Sequence, residues 1–306
     1  MKVAVLGPGG VGGLLAGVLA RHRDAVVCIA STSTCEQLRT AGISVRSQLL
    51  GDFTVNVDAT STLQAPIDVC LITVKATQLE TALERVPRGA LGDALVVPLL
   101  NGIEHLDLLR ERYGASVVPA TIRVESTRSA PGKIESASPF ITVELGLPIE
   151  TEAVQSQRIR AFGAHLIAAG VDTEIRDDVQ TMMWGKLSFL APVALLTTHE
   201  SAPVGDIRTT FRTDLLTLVD EVVAVAQKDG ARVEAQSIVR LLDSVPDAMR
   251  SSMQRDAAAG RGIEIDAIGG AILRAAKRLD VAVPLATKLV KDLSRNPGRR
   301  GGEQRH

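Results

Sequence analysis

The chain opens on "KVAVLG", a short apolar run closed by a glycine, and its first half repeats that alternation. "AVVCIA", "DVCLITV" and "ALVVPLL" are near-continuous runs of Val, Ile and Leu, the mark of strands buried on both faces of a parallel sheet. "VGGLLAGVLARH", "TQLETALERV" and "IEHLDLLRERYG" carry apolar residues at helical spacing and fill the crossovers. From about Val117 to Leu145 come "VVPATIRVES", "PGKIES" and "FITVELG", read as hairpin strands joined by a Pro131–Gly132 turn. "VQSQRIRAFGAHLIAAG" predicts a helix ending at Gly170, and "VDTEI" one further strand. After Arg176 strand signals largely disappear and the pattern is that of successive helices. The prediction is an α/β, doubly wound sheet over 1–176, an all-helical domain over 177–293 and a flexible tail over 294–306. The first long helical run, "MMWGKLSFLAPVALL" from Met182 to Leu196, is almost continuously apolar, with one lysine, Lys186, near its start. Pro192 within it predicts a kink.

Composition narrows the functions open to such a chain. With 306 residues there is room for about two domains. A net charge of -1 and 2% aromatic residues give no basis for binding a polyanion or stacking single-stranded nucleic acid. No apolar run reaches the roughly 18 residues of a membrane span, and "MKVAVLG" is too short for a signal peptide. A cytoplasmic location is therefore expected. Cys28, Cys35 and Cys70 are odd in number and show no CxxC pairing; Cys28 and Cys70 read as buried thiols. The five histidines show no metal-ligand spacing along the chain, so no metal is expected.

Chemistry enters at "KVAVLGPGGVGGLLAG", where Gly7, Gly9 and Gly12 form GxGxxG between a strand and a helix. Gly7 allows the tight turn, Gly9 lets the backbone approach a pyrophosphate, and Gly12 lets helix pack on strand. Pro8, Gly10 and Val11 complete the loop, and the helix N-terminus offers N–H groups to phosphate. In such a unit an acid ending the second strand holds the ribose of NAD, whereas an arginine there favours NADP. Here the second strand ends in Ser31 to Thr34, "STST", with Arg39 the nearest cation, so this locus leaves the dinucleotide open.

Lys186 has two readings. Partial burial lowers a lysine pKa toward the range of a general acid, which suits protonation of a carbonyl oxygen during hydride transfer. The alternative is a lysine whose stem packs on apolar neighbours while its head reaches water.

Seven stretches bear on the choice: "VLGPGGVGG", "VKATQ", "LLNG", "PGKI", "WGKL", "SSMQRDAAAGR" and "EID". In order and spacing they resemble the ketopantoate reductase (2-dehydropantoate 2-reductase) family over nearly the whole chain. The resemblance implies a Rossmann-type domain with a helical domain, NADPH as cofactor with NADH not excluded, and reduction of a 2-oxo acid. It implies Lys186 as general acid and Glu264 as active-site carboxylate. It also implies Ser252 as a contact to the substrate carboxylate, and Lys75, Gln78 and Asn101 on the cofactor side. Lys75 and Asn101 would serve the substrate as well. The implied partner is a small carbonyl compound, with no nucleic acid or membrane, and a homodimer is admitted.

The departures from that pattern are as informative. The family's lysine helix reads K-x-x-x-N-x-x-x-N, placing three side chains on one face. Here the equivalent positions are Leu190 and Ala194. Val204 and Met249 stand where asparagines are usual. The expected substrate is consequently less polar than ketopantoate. Two alternatives remain beside that reading: a genuine 2-dehydropantoate 2-reductase, or a dinucleotide-binding sensor without turnover. The retained Lys186 and Glu264 count against the sensor. Arg123 and Arg128 could hold a carboxylate and His199 could donate a proton, although surface roles suit all three better.

Overall fold

A computed structural model of the chain describes residues 1–295. The expected tail beyond Arg295 lies outside the described residues, and the last helix, Pro284–Arg295, covers the tail's first two positions. The described residues divide into two compact units, one of Met1–Leu100 with His105–Val179, the other of Asn101–Glu104 with the described residues from Gln180 onward.

The first unit is built on five parallel strands in the order Asp58–Thr60, Ala25–Ile29, Lys2–Leu6, Val69–Ile72, Leu95–Pro98. The chain starts in the middle and winds outward first one way, then the other. That is the doubly wound, Rossmann-like sheet, and its switch point falls beside the first strand, where ligands of this fold bind. Every residue of Val69–Ile72 and Leu95–Pro98 is buried, which is why those strands read as unbroken apolar runs. Cys28 and Cys70 lie inside the sheet as free thiols, and burial pushes both up to about 12.

Two smaller sheets complete this unit. One runs Phe53–Val55, Ile43–Ser47, Lys133–Ser136, Thr127–Ala130; the other runs Asp172–Arg176, Thr142–Gly146, Ala120–Arg123. The Pro131–Gly132 turn does close a hairpin, between Thr127–Ala130 and Lys133–Ser136. The flanking strands pair elsewhere: Ala120–Arg123 lies antiparallel to Thr142–Gly146 in the other sheet. Helix Gly10–Arg21 packs closely against the hairpin sheet because its inward positions are small. A Cβ at Gly13 would overlap the Ile134 side chain, and one at Gly17 would stand 2.9 Å from Val45.

The second unit is helical around a continuous apolar core. Its first and longest helix, Val179–Glu200, runs unbroken through Pro192, which is buried. A proline inside a helix costs about 3 kcal/mol in isolation; buried neighbours on both sides, Leu187, Ser188 and Ala191 before it and Val193 to Thr198 after it, hold the helix together here. The helix is long and apolar enough by length and composition to cross a membrane, which corrects the expectation that no segment would be. Most of it is buried inside the protein, as in the core helix of a globular unit. The last helix has a buried acid at its start: Leu285 and Ala286 donate their N–H groups to Glu221, each at 2.8 Å. A carboxylate there satisfies two otherwise orphaned donors.

Candidate active site

In the first unit the glycine turn has the form its sequence requires. Gly7 takes φ +85°, and a Cβ on it would overlap Val74. A Cβ on Gly12 would collide with Thr73, whose hydroxyl donates to the Gly7 carbonyl at 2.8 Å. Gly9 is different: its nearest neighbour would be the Gly7 carbonyl oxygen at 3.8 Å, so its face is open. Gly9 is the N-cap of helix Gly10–Arg21 and no side chain caps that helix. The first-turn N–H groups of Gly10, Val11 and Gly12, with buried Pro8 bracing the loop, therefore fit a pyrophosphate that arrives over Gly9. The Lys75 loop is tied to the same place through Val74 and Thr73. Lys75 is half-buried and precedes the short turn Ala76–Gln78, in which Gln78 is exposed.

Ser31 is the N-cap of helix Thr32–Ala41, and its hydroxyl lies 3.3 Å from that of Ser33 and 3.1 Å from that of Thr34. Arg39 is committed to the Ala59 carbonyl at 2.8 Å. A second cation, Arg85, donates to the carbonyls of Ala30 and Ser61 at 2.8 and 3.3 Å, next to Ser31 in the chain. Sequence spacing gave no signal for Arg85, which comes from a different crossover.

The second unit collects the remaining candidates. Lys186 is half-buried on helix Val179–Glu200. The start of that helix is anchored by Asp229, which accepts from the Trp184 indole at 2.8 Å, from Gln180 at 2.6 Å and from Arg278 at 2.9 Å. Lys186 is thus two residues from a buried tryptophan held on both its apolar face and its N–H. Further along, Thr197 shares a 2.8 Å hydrogen bond with Ser251, which in turn caps helix Ser252–Ala258 by accepting from the Gln254 N–H. Ser252 is exposed in the first turn of that helix.

Asn101 and Glu264, far apart in sequence, are brought together: the Asn101 amide donates to Glu264 at 3.0 Å, and Glu264 is buried. Their backbones are clamped behind them. Arg274 donates to both Glu104 oxygens at 2.8 and 2.6 Å and to Asp266 at 2.7 Å. Gly102, at φ +84°, abuts the Ala267 carbonyl so closely that no side chain would fit. Asp266–Gly270 forms a turn of π-helix, a form concentrated at functional sites. The clamp was missed in the sequence because Arg274 joins two segments that no local pattern relates.

The apolar replacements all belong to one core or pack against it. Val204 belongs to the helical unit's core, and Leu190 and Met249 pack against that core. The Val204 N–H donates to the Met249 carbonyl at 2.9 Å. Ala194 and Val204 are both fully enclosed in the core, which corrects the expectation that Ala194 lines the substrate, whereas Leu190 and Met249 are half-buried. Of the weaker candidates, Arg123 pairs with buried Glu144 at 3.4 Å, Arg128 is exposed, and His199 engages Glu200 at 2.7 Å.

Hydride chemistry on a carbonyl needs a dinucleotide and a proton-bearing cation, and the chain is an NAD(P)H-dependent oxidoreductase. Comparison with known proteins gives the family. The family described as ketopantoate reductase PanE/ApbA matches residues 3–146, and its C-terminal counterpart matches residues 178–295. The chain belongs to the ketopantoate reductase family. It is 28% identical over 300 residues to an uncharacterized oxidoreductase, YkpB, of Bacillus subtilis, covering 96% of this chain and 98% of that one. It is 29% identical over 301 residues to a 2-dehydropantoate 2-reductase of Mycobacterium tuberculosis, covering 94% and 95%. Among solved structures, a PanE/ApbA family ketopantoate reductase from Ralstonia eutropha superposes with TM-score 0.85 at 28% identity, over 97% and 98% of the two chains. A D-mandelate dehydrogenase with NADH and anilino(oxo)acetate reaches TM-score 0.88 at 20% identity, over 97% and 98%, a likeness of fold. Family membership also settles the cofactor class: NADPH is consistent with the family and NADH is not excluded. Membership among oxidoreductases removes the support for a sensor without turnover.

Proposed function

We propose that this chain reduces a 2-oxo acid with a bulkier and less polar substituent than ketopantoate, with Lys186 as general acid. The nicotinamide cofactor supplies the hydride to the carbonyl carbon. Lys186 gives a proton to the carbonyl oxygen as negative charge builds there, and its half-buried ammonium stabilises that charge before transfer. Glu264, oriented by Asn101, and Ser252 bind and align the substrate; Gly7 to Gly12, Ser31, Lys75 and Gln78 hold the cofactor.

The observation that carries the substrate reading is the apolar character of half-buried Leu190 and Met249, both packed against one hydrophobic core, in a unit that retains the Asn101–Glu264 pair. Burying a substrate hydroxyl without a partner costs about 1–3 kcal/mol. Two or more such losses make ketopantoate a poor substrate. The mandelate dehydrogenase of the same fold, bound to an aryl-bearing oxo acid, supports an aromatic or branched substituent. The alternative, 2-dehydropantoate 2-reductase itself, is favoured by the name of the Mycobacterium tuberculosis relative. In either case the protein acts as a soluble, cytoplasmic enzyme on a small molecule, alone or as a homodimer.

A panel of 2-oxo acids, from ketopantoate to phenylglyoxylate, assayed with NADPH and NADH decides between them. We expect aryl or branched substrates to exceed ketopantoate in kcat/KM by tenfold or more. Lys186→Ala should lower kcat by roughly 10²–10⁴-fold while cofactor fluorescence titrations stay unchanged. Ketopantoate as the best substrate would reject the apolar-substrate reading; full activity in the lysine variant would reject the general acid.

A further inference from the structure

At the opposite end of the central strands from the glycine turn, three side chains converge that the oxidoreductase chemistry does not use. His22 and Asp24 follow helix Gly10–Arg21, and His165 comes from helix Ala153–Ala168. The His165 Nε2 lies 2.9 and 2.8 Å from the two Asp24 oxygens, and the His22 Nδ1 lies 3.7 Å from Asp24 Oδ2. One ligand atom from each residue falls within 4.8 Å of the others. We propose that His22, Asp24 and His165 form a binding site for a divalent transition-metal ion of the zinc class.

Spacing is the first argument. Two ligands of a tetrahedral zinc, each about 2.1 Å from the ion, stand roughly 3.4 Å apart. The observed separations bracket that value, so modest side-chain rotation closes the set. Two imidazoles and a carboxylate, with water in the fourth position, are a donor set that zinc favours.

Arrangement is the second. Arg23, between two of the ligands, takes φ +69°. The helix ends there with Asp24 N–H donating to the Leu19 carbonyl and Arg23 N–H to that of Ala20, each at 3.0 Å. This closing turn usually places a glycine where Arg23 stands. It turns the side chains before and after Arg23 toward the same point. The Asp24 side chain is 3% exposed, whereas His22 is 35% exposed, so a buried charge meets an open entry.

The Met1 ammonium contacts Asp24 Oδ1 at 2.6 Å and accounts for one carboxylate oxygen. It leaves unexplained why two imidazoles, their centroids 4.9 Å apart, are turned onto the same acid. Binding needs no net loss of protons from neutral histidines. The Nε2 proton that His165 donates to Asp24 moves to Nδ1, and the freed Nε2 lone pair takes the ion. Sequence spacing missed the site because His165 reaches it only through the fold.

The test uses the full chain, stripped with chelator and titrated with ZnCl₂ by calorimetry and with CoCl₂ by visible absorption. We expect one ion per chain, cobalt d–d bands in the visible, and a rise in melting temperature with zinc. His22→Ala and His165→Ala should each weaken binding tenfold or more, while oxidoreductase turnover in His22→Ala remains that of the parent. An unchanged far-UV circular dichroism spectrum of His22→Ala, whose side chain lies at the open side of the cluster, checks that the fold is kept. Absence of saturable zinc binding would overturn the site, as would unchanged affinity in the variant lacking both histidines.

Discussion

Leu190 is where a single side chain carries the substrate argument most directly. It lies one helical turn beyond Lys186, where the family resemblance implies an amide. Leu190→Asn should therefore raise kcat/KM for ketopantoate by about fivefold to a hundredfold, the equivalent of 1–3 kcal/mol, and lower it for the preferred apolar substrate. Parallel assays of both substrates report the switch, and equal changes in both would argue against a role in selectivity. Asp24 supplies a second residue-level prediction, for stability. Burial alone would raise its carboxyl pKa; hydrogen bonds and charge from the Met1 ammonium and His165 outweigh that and hold it below the usual carboxylate range. A carboxyl depressed on folding stabilises the protein above its unfolded pKa, about 3.9, and loses that contribution as pH falls through the folded value. Asp24→Asn should cost about 1–3 kcal/mol near neutrality and flatten the pH dependence below about pH 4. Urea unfolding across pH 2–6 measures both.

Among the elements, those buried on both faces were the most legible. Val69–Ile72 and Leu95–Pro98 admit only apolar residues, so their identity is written in composition. Phe53–Val55 and Asp58–Thr60 were missed because three residues with exposed polar positions make no pattern. The pairing of Ala120–Arg123 with Thr142–Gly146 was hidden for another reason: a turn joins neighbours in sequence, and the intervening hairpin left for a different sheet. At the site, the glycine turn was legible because Gly7 and Gly12 each answer a local steric demand and Gly9 leaves the face between them open. The Arg274 clamp was not, because its partners are related only in space. Arg274→Ala should loosen the Asn101–Glu264 pair, raising KM with a smaller fall in kcat. Arg274→Lys should recover only part of the loss, since an ammonium cannot hold Glu104 through two parallel bonds. Kinetics of the two variants side by side test this; identical behaviour of Ala and Lys would remove the positioning role.

On the scale of the whole molecule, the family assignment rests on both units, since each is matched by its own half of the family description. Ligand binding to the native state alone raises stability by mass action, about 2.7 kcal/mol at a hundredfold excess over Kd. Graded addition of NADPH should accordingly raise the melting temperature in scanning fluorimetry, and Gly9→Val, which fills the open face of the turn, should abolish the shift. A shift that survives in this variant would place the dinucleotide elsewhere.

The short excursion Asn101–Glu104, which leaves the nucleotide-binding half to be counted with the helices, has an engineering consequence. Chimeras that join the first 176 residues of one relative to the helical half of another would mix parentage at the Asn101–Glu264 contact, however clean the join looks on paper. Grafting four more codons along with the C-terminal cassette should restore matched partners, so exchange of specificity between homologues calls for three junctions in the gene instead of one.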